Sequence, residues 1–283
     1  MKSLTWIPDN GETIQFNQNF PFFCNNADLN TAGASFSEFK PAGADGVYTA
    51  GGTYDVKTII IPGQIVATSR ADLEQRRAQL AMAFSIHNEG WLVAHQWDGT
   101  RKKIRCRSTG NPVYTENVGI GERFTITLRC DRPYWLGYDD QIVPIGQIIP
   151  LMRWPWVASV LMGYAVAELT INNTSGVEIP TKIEVLSQST LIKLTRTCGS
   201  RVDELELATT IDEGEKLVID GTSGDIYIHS IVSGEDSNAS HCLVAGSKPI
   251  TLLPGINQIV LDNGVAGVTP LSYVIYNDHS LAV

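Results

Sequence analysis

Residues 123–135 read RFTITLRCDRPYW. Apolar and polar side chains alternate from Phe124 to Leu128, which is the pattern of a half-buried β-strand. Pro133 has no backbone N–H and a fixed φ, so the strand has to end before it. The stretch therefore predicts a strand that closes one part of the fold, and the surrounding sequence decides what that ending is for.

The residues at this strand ending admit two interpretations. Cys130, Asp131 and Tyr134 could form a chemical site, or they could mark where one domain stops and the next begins. The neighbouring sequence does not complete a catalytic or metal-binding pattern, so we favour the second interpretation. It predicts Cys130 as an inward-facing small apolar side chain, with Tyr134 and Trp135 packed at the junction of two domains.

One helix is predicted before this strand, in TSRADLEQRRAQLAMAF (68–84). Ser69 is a suitable N-cap, and Asp72 follows three residues later as in a capping box. The helical period of 3.6 places four apolar residues on one face. These are Leu73, Leu80, Ala81 and Phe84.

Two hairpins are predicted on either side of the helix. FKPAGADGVYTAGGTY (39–54) is rich in glycine and indicates a flexible or projecting hairpin. WLVAHQW (91–97) and RKKIRCR (101–107) flank Asp98-Gly99, a dipeptide typical of a tight β-turn. A further strand over TYDVKTIIIPGQIVAT (53–68) contains Pro62-Gly63, which predicts a bulge or bend there.

Composition and charge limit the possible functions. The 283 residues are 43% hydrophobic and 18% charged, which is ordinary for a globular protein of one large or two medium domains. The net charge of −9 is uneven, because residues 1–140 carry 14 basic and 15 acidic side chains whereas residues 141–283 carry 7 and 15. This acidic second half argues against binding to a phosphate backbone as the main role.

The five cysteines are widely spaced and none lies in a CxxC pair. They predict buried reduced thiols and argue against a disulfide framework or a zinc site. The N-terminal MKSLTWIPDNGE lacks the apolar core of a signal peptide. The most apolar run, 154–167, is too short and too interrupted by proline for a membrane span of about 20 residues. We therefore expect synthesis in a reducing cytoplasm and no membrane association.

A change in sequence texture predicts a two-domain, mainly β protein. Residues 1–140 are predicted as an N-terminal β-sandwich-like domain with one helix and a projecting hairpin. Residues 141–165 are predicted as an apolar, proline-rich connection. Residues 166–283 contain short strands at regular spacing, which is typical of an antiparallel β-sandwich.

Candidate chemistry is sparse. The sequence has no phosphate-binding loop, zinc-protease helix, nucleophile elbow or EF-hand loop. Asp225, His229 and Ser230 could suggest a triad, but a context for a nucleophile is missing, and His95 fits a packed histidine. We predict no catalytic, cofactor-binding or metal-binding residues.

The one cationic cluster is RKKIRCR (101–107). It could be a solvated hairpin tip, or it could contact an acidic neighbour subunit. The second interpretation names four candidate subunit-interface residues. These are Arg101, Lys102, Lys103 and Arg105.

The order of these elements resembles the distal tail protein (Dit-type) family of long-tailed phages with non-contractile tails. The matching segments are 59–84, the hairpin around WDGTRKKIRCR, and RFTITLRCDRPYW, although Arg132 separates the Asp and Pro that are adjacent in the family. The second half is similar to that family's C-terminal galectin-like sandwich, as in LTINNTSGVEIPTKIEVL, IDEGEKLVIDG and ITLLPGINQIVLDN.

The resemblance implies a structural role without catalysis or a cofactor. Family members form a homo-hexameric ring at the virion tail tip, around a channel through which DNA passes without specific binding. Their implied partners are the tail tube protein, a tail-tip hub or tail-associated protein, and a receptor-binding or fibre protein. Synthesis would take place in the cytoplasm of the bacterial host. Two alternatives stay open, a carbohydrate-binding module acting in host adhesion and an enzyme of unknown type.

Overall fold

The computed structural model describes residues 3–17, 20–24, 27–29, 32–43, 45–118, 120–145, 147–150, 163–186, 189, 191–262 and 271–282. Most of the predicted connection, residues 151–162, lies outside them. The chain divides into two compact units. The first comprises Met1–Tyr138 with His279–Val283, and the second comprises Asp139–Asp278.

The elements up to residue 138 are β1 (Ser3–Pro8), β2 (Ile14–Phe16), β3 (Phe22–Phe23), β4 (Ala34–Phe39), β5 (Tyr48–Tyr54), β6 (Lys57–Val66), α1 (Arg70–Ala83), β7 (Glu89–His95), β8 (Arg101–Ser108), β9 (Val113–Val118), β10 (Gly121–Cys130) and β11 (Trp135–Gly137). Those that follow are β12 (Gln141–Ile145), β13 (Gln147–Pro150), β14 (Gly163–Val166), β15 (Glu168–Asn173), β16 (Ile179–Val185), β17 (Ile192–Cys198), β18 (Arg201–Leu207), β19 (Glu215–Asp220), β20 (Ile226–Ser230), β21 (Asp236–Asn238), a 3₁₀ turn (Ser240–Cys242), β22 (Thr251–Leu252), β23 (Gly255–Asp262), β24 (Ser272–Tyr276) and β25 (His279–Ser280).

One antiparallel sheet forms the first unit. Its strand order is β2-β1-β7-β8-β10-β6-β3, with β9, β11 and β25 paired beside it. Asn17, just after β2, bridges to Phe23 in β3, so the two ends of this order meet. The sheet thus curls around its own apolar face, which is how a small β-domain removes its exposed edges.

The predicted strand ending RFTITLRC is the long strand β10. It pairs with β6 along its whole length, from Gly121 opposite Val66 to Cys130 opposite Lys57. The bend predicted at Pro62-Gly63 is absent from this ladder. A Cβ on Gly63 would lie 2.3 Å from Cζ of Phe124, so the glycine gives the Phe124 ring its place in the core.

Helix α1 covers one side of this sheet's core. The predicted N-cap is confirmed, since the Asp72 N–H donates to Ser69 Oγ at 3.2 Å. The buried helical residues are Leu73, Leu80 and Ala83, followed by Phe84. Ala81 is only half-buried. Ala83 is therefore the buried alanine of this face, whereas the sequence had predicted Ala81.

Trp135 belongs to the core of the first unit. It is fully buried in the same apolar cluster as Trp6 and Phe84, and its Nε1 donates to the Leu29 carbonyl at 3.1 Å. The prediction of Trp135 at a domain junction is therefore wrong, because the indole nitrogen finds a buried acceptor within this unit. The prediction that Cys130 faces inward is confirmed, since it has no exposed surface.

Two antiparallel sheets form the sandwich of the second unit, and β13 pairs with β14 as a separate two-stranded sheet. One has the order β12-β24-β16-β19-β20-β21, with β22 beside β16, and the other has the order β15-β23-β17-β18. Inward-facing Ile, Leu and Val residues from both sheets form one apolar cluster. This is a β-sandwich, and the mainly β fold class predicted from the sequence is confirmed.

The unit boundaries differ from the predicted segments in two places. Residues 141–145 form β12, which pairs with β24 inside the second unit, whereas the sequence placed them in a connection. Residues 279–280 form β25, which pairs with β11 in the first unit, whereas the sequence placed them in the C-terminal domain. Both differences arise from pairing across long sequence separations. Among the described residues, no helix is long and apolar enough to cross a membrane.

Candidate subunit interface

The predicted interface residues lie along strand β8 and not at a hairpin tip. The turn between β7 and β8 is at Asp98-Gly99, and Gly99 has a φ of +89°, which glycine adopts easily. Arg101 already pairs with His95 in the ladder. The solvated-tip interpretation is therefore wrong for this cluster, whose side chains start from a paired strand.

Two lysines of this cluster hold other parts of the same unit. Lys102 Nζ donates to Ser280 Oγ at 3.0 Å and to the Ala282 carbonyl at 2.9 Å. Lys103 Nζ donates to the Tyr138 carbonyl at 2.8 Å. Together with a third lysine, Lys57, whose Nζ donates to the Leu281 carbonyl at 2.8 Å, Lys102 fixes the segment around β25.

The two arginines contact aromatic and acidic neighbours. The Arg101 guanidinium lies 3.8 Å from the centroid of the Tyr138 ring. Arg105 donates from Nη1 to Asp9 Oδ1 at 2.7 Å and contacts the other Asp9 oxygen as well, a bidentate pair. Glu89 lies 3.5 Å from the same guanidinium. The hydrogen bond from Arg105 lowers the pKa of the Asp9 carboxyl below its usual 3.8.

Two further arginines continue this charged surface across β8 and β10. Arg107 Nη2 lies 2.5 Å from Asp131 Oδ2 and 3.5 Å from Glu89 Oε1. Arg129 Nε lies 3.0 Å from Asp131 Oδ1. These arginines, Arg129 first, lower the pKa of Asp131. The basic cluster is thus balanced by carboxylates and carbonyls of its own unit.

A second region has the opposite character. The hairpin formed by β4 and β5 is exposed at every residue of both strands, and within the described part of the chain these strands pair only with each other. Its large apolar side chains include Phe36 (62% exposed), Phe39 (61%) and Tyr48 (64%). This confirms the projecting hairpin that the glycine-rich sequence predicted. We call it the aromatic hairpin.

The register of the aromatic hairpin places its rings on both faces. Phe36 lies opposite Gly52, and Phe39 lies opposite Tyr48 with their ring centroids 6.4 Å apart. A Cβ on Gly52 would come within 2.8 Å of the Phe36 ring. Gly52 therefore lets the ring lie flat across the ribbon. Gly51 and Gly52, which contributed to the prediction of a hairpin, both lie in strand β5.

Two hydrogen bonds close the base of the aromatic hairpin, and one ring contact joins it to the rest of the first unit. The Asp55 N–H donates to the Gly33 carbonyl at 2.9 Å, and Ser35 Oγ donates to Asp55 Oδ1 at 2.7 Å. Tyr54 contacts the edge of Tyr134, with the ring centroids 6.1 Å apart. The hairpin thus leaves the body at a defined point, and Tyr134 of the opening stretch serves as part of its base.

An isolated two-stranded ribbon is only marginally stable in water. A ribbon with exposed rings on both faces and free outer edges presents what a protein partner covers, which is apolar area together with unpaired backbone groups. The glycine-rich residues 39–54 predicted the hairpin but not its aromatic content, because they begin at Phe39 and leave out Phe36. The two aromatic residues of Ser35-Phe36-Ser37-Glu38-Phe39, each beside polar neighbours, were the signal that could have found it.

The structure does not assemble a catalytic site from the residues named in the sequence. His229 Nδ1 lies 2.6 Å from Asp236 Oδ1 on an exposed hairpin, so it contacts the carboxylate of Asp236, whereas the sequence had placed it with Asp225. His95 Nε2 lies 3.1 Å from Thr5 Oγ1 in the neighbouring strand, as expected for a packed histidine. Among the described residues, no group of three or more His, Cys, Asp or Glu side chains could hold a metal ion.

Comparisons with known proteins agree with this geometry. Residues 9–130 match the family model described as a phage tail protein RIFT-related domain. The matched residues lie in the first unit and make up less than half of the chain, so the match shows that this unit is similar to a phage tail domain. A search of curated proteins found no match.

Solved structures with the same fold come from phage tails. The distal tail protein Dit of phage SPP1, described as a paradigm of the hub adsorption apparatus in phages infecting Gram-positive bacteria, is 12% identical with a TM-score of 0.70, over 98% of this chain and 99% of that one. Baseplate chains of phage P2 in its activated conformation match over the full length of both chains, at 9% identity and TM-score 0.52 with calcium and at 10% and 0.51 with strontium. At these identities the likeness establishes the fold, and the resemblance to Dit-type distal tail proteins is confirmed.

Proposed function

Because the first unit is similar to a phage tail domain and the chain has the fold of a distal tail hub protein, we propose that it is a structural hub of the phage tail tip. In this proposal six copies form a ring between the tail tube and the host-recognition apparatus. The first units form the ring around a channel for DNA, and the second units face outward. The observation that carries the proposal is the aromatic hairpin, which is built for contact with a second protein surface.

Ring closure sets the kind of contact that the hairpin makes. A two-fold contact uses the same patch on both copies and stops at a dimer, whereas a ring of six needs a head-to-tail contact between two different patches. A hairpin projecting from one point of the unit suits the head-to-tail arrangement. We propose that each aromatic hairpin docks on the first unit of the next copy, where its rings become buried and its free edges become paired.

Charge supports passage of DNA without specific binding. The described arginines Arg76, Arg105, Arg107 and Arg129 of the first unit each pair with a carboxylate. A guanidinium already neutralised by a neighbouring carboxylate has less to offer a phosphate group. Residues 1–140 carry 14 basic and 15 acidic side chains, so the part of the chain around the channel has almost no net charge. DNA in the channel would thus meet surfaces that do not retain it.

The alternative of a carbohydrate-binding module has weaker support. Sugar rings commonly stack on an exposed aromatic side chain, and the aromatic residues that the second unit offers among its described side chains are tyrosines. Tyr227, Tyr273 and Tyr276 are each at least half-buried. The exposed apolar rings lie instead in the first unit, Phe36 and Phe39 on the aromatic hairpin and Phe20 and Trp97 elsewhere.

Site-specific photo-cross-linking tests the docking directly. A photoreactive phenylalanine analogue at position 39 should link one copy to the next and produce a ladder of species up to six subunits. The linked peptide should belong to the first unit of the neighbouring copy. The same analogue at Val232, which is 89% exposed in the second unit, is the matched control. A ladder that stops at two copies, or equal linking from both positions, would refute the docking.

A binding titration tests the proposed channel. Fluorescence anisotropy with duplex DNA at physiological salt should give no binding below the micromolar range. The physical reason is that the cations of strand β8 already have partners within their own unit. Sub-micromolar binding that disappears when Arg101, Lys102 and Lys103 are replaced by serine would show that these residues contact phosphates, and it would contradict the proposed passage without binding.

A further inference from the structure

Two cysteines face each other in the core of the first unit. Strands β8 and β10 pair with Ser108 opposite Leu128 and Arg107 opposite Arg129, and the same register sets Cys106 opposite Cys130. Their Sγ atoms are 2.7 Å apart. Both residues are buried, with 3% of Cys106 exposed and none of Cys130. Neither cysteine is used by the docking surface described above.

We propose that Cys106 and Cys130 are a site of covalent modification, at which a peroxide-class oxidant converts the two thiols into a disulfide between β8 and β10. In the first step the Cys106 sulfur attacks one oxygen of hydrogen peroxide and the O–O bond breaks. The Cys106 thiol becomes a sulfenic acid, and the other oxygen leaves as water. In the second step the Cys130 sulfur attacks the Cys106 sulfur and displaces a second water. Overall, two thiols and one hydrogen peroxide give one disulfide and two waters.

The geometry needs little rearrangement for this bond. Directly opposed residues of antiparallel strands have Cβ atoms about 4.5–5.5 Å apart, close to the separation of about 3.5–4.5 Å in disulfides. The sulfurs already touch, and a disulfide bond is about 2.05 Å long. The ladder of Ser108 with Leu128 and Arg107 with Arg129 holds the two strands in register directly beside the pair, which lies at the end of β10.

The neighbouring groove lies on the other face of this sheet. It has a volume of about 150 Å³ and is lined by Arg105, Arg107 and Arg129, with Cys106 between them. Because side chains alternate faces along a strand, the Cys106 sulfur lies on the core side and not in this groove. Of the two thiols Cys106 keeps 3% exposure and Cys130 none, so Cys106 is the residue attacked first and Cys130 is the resolving thiol.

The surroundings of the pair set its rate. Burial raises the pKa of the Cys106 thiol well above its usual range, and the contact with Cys130 adds to this. The positive charges of Lys57 and Arg105 act in the opposite direction. Since the thiolate is the reactive form, oxidation should be slow in the folded protein.

Mass spectrometry of the whole chain tests the proposal. After incubation with hydrogen peroxide, the intact mass should fall by two hydrogen atoms, and peptide mapping without reduction should find Cys106 linked to Cys130. The melting temperature of the first unit should rise by about 10 °C, and a phosphine reductant should reverse the rise. Cys106→Ser should abolish both changes, whereas Cys242→Ser, a change in the second unit, should leave them intact.

Mapping of the wild-type chain alone decides the question if Cys106→Ser fails to fold. A link between any other two cysteines, unlinked Cys106 and Cys130 after complete oxidation, or oxidation of Cys106 to a sulfinic acid without a link would each overturn the proposal. The chemistry does not depend on ring formation. A monomeric protein could carry the disulfide, and a hexamer could lack it, so this test and the test of docking fail independently.

Discussion

The aromatic hairpin and the β7–β8 hairpin were both candidates for projecting contact elements, and the structure separates them. The aromatic hairpin exposes both of its strands and pairs only within itself among the described residues. The basic strand β8 lies in the middle of a sheet, and its cations donate to Ser280, Ala282 and Tyr138 or pair with Asp9. A charged strand can be satisfied within its own unit, whereas exposed rings without internal neighbours need another surface.

A substitution in the core of the first unit, which carries both hairpins, should have the largest effect on stability. Phe84 is fully buried, with its ring centroid 5.2 Å from that of Trp6. Phe84→Asp would place a charge in this cluster and should lower the free energy of unfolding by several kcal/mol, about the whole stability of a domain. Circular dichroism melting should find the first unit unfolded.

The matched control lies on the same helix. Met82→Asp changes a residue that is 69% exposed, so its melting temperature should stay close to that of the wild type. Equal loss of stability in both variants would mean that the buried face of α1 is wrongly assigned. The comparison of the two hairpins would then also lose its basis, because it assumes that both extend from the same folded core.

The next effect sharpens the difference between the hairpins. Lys103→Met leaves the Tyr138 carbonyl without its donor and should lower the free energy of unfolding of the first unit by about 2 kcal/mol. Lys102→Met should act in the same direction through the Ser280 and Ala282 contacts. Lys40→Met, on the exposed turn of the aromatic hairpin, should change it by less than about 0.5 kcal/mol. Denaturant titrations measure all three.

These expectations revise the interface assigned to strand β8. If Lys102→Met and Lys103→Met kept full stability but weakened association, the cluster would be a subunit contact, as the sequence predicted. Loss of stability without a change in association would instead confine it to the fold of its own unit. The second result is the one expected from the hydrogen bonds.

Replacing the exposed rings should affect stability little. The free energy of unfolding of an isolated chain should change by less than about 0.5 kcal/mol per residue in the triple variant Phe36→Ser, Phe39→Ser, Tyr48→Ser. The reason is that the three rings bury little surface within their own chain. Sedimentation velocity should nevertheless detect a loss of association. Val232→Ser, an exposed apolar change in the second unit, should affect neither property. A large fall in the melting temperature of the ring variant would show that the hairpin folds back onto its own body.

The smallest effect concerns pH. The pKa of Asp9 is lowered by its hydrogen bonds from Arg105, so this carboxylate stabilises the folded state above the usual pKa of 3.8. The contribution is lost as the pH falls through the lower folded-state pKa. Asp9→Asn should therefore reduce stability slightly at pH 6 and flatten the acid limb of the stability profile below pH 4.

Elements that depend on interactions between residues near in sequence were predicted, and those that depend on distant residues were not. Helix α1, the Asp98-Gly99 turn and the strands after residue 166 were predicted because their signals are local, in periodicity, capping and turn residues. The return of β25 to β11 and the pairing of β12 with β24 were missed, since each joins segments more than 100 residues apart. Local patterns do not specify such partners.

The candidate interface shows the same limit at the level of side chains. The charges of Arg101 and Lys102 were visible in the sequence, but their partners were not. Arg101 contacts Tyr138, and Lys102 contacts the C-terminal segment. The sequence had assigned that segment to the second domain. The aromatic hairpin was found through its glycines. Its rings gained their meaning only from the exposure of Phe36 and Phe39, a property of the folded chain.

Native mass spectrometry of the wild-type protein beside the variant Phe36→Ser, Phe39→Ser, Tyr48→Ser tests the central claim most directly. Our account predicts that the wild type has the mass of six chains, at a concentration where the variant has the mass of one chain and the same melting temperature. A stable two-chain species that persists over a broad concentration range would contradict it. So would a six-chain species that survives removal of the three rings.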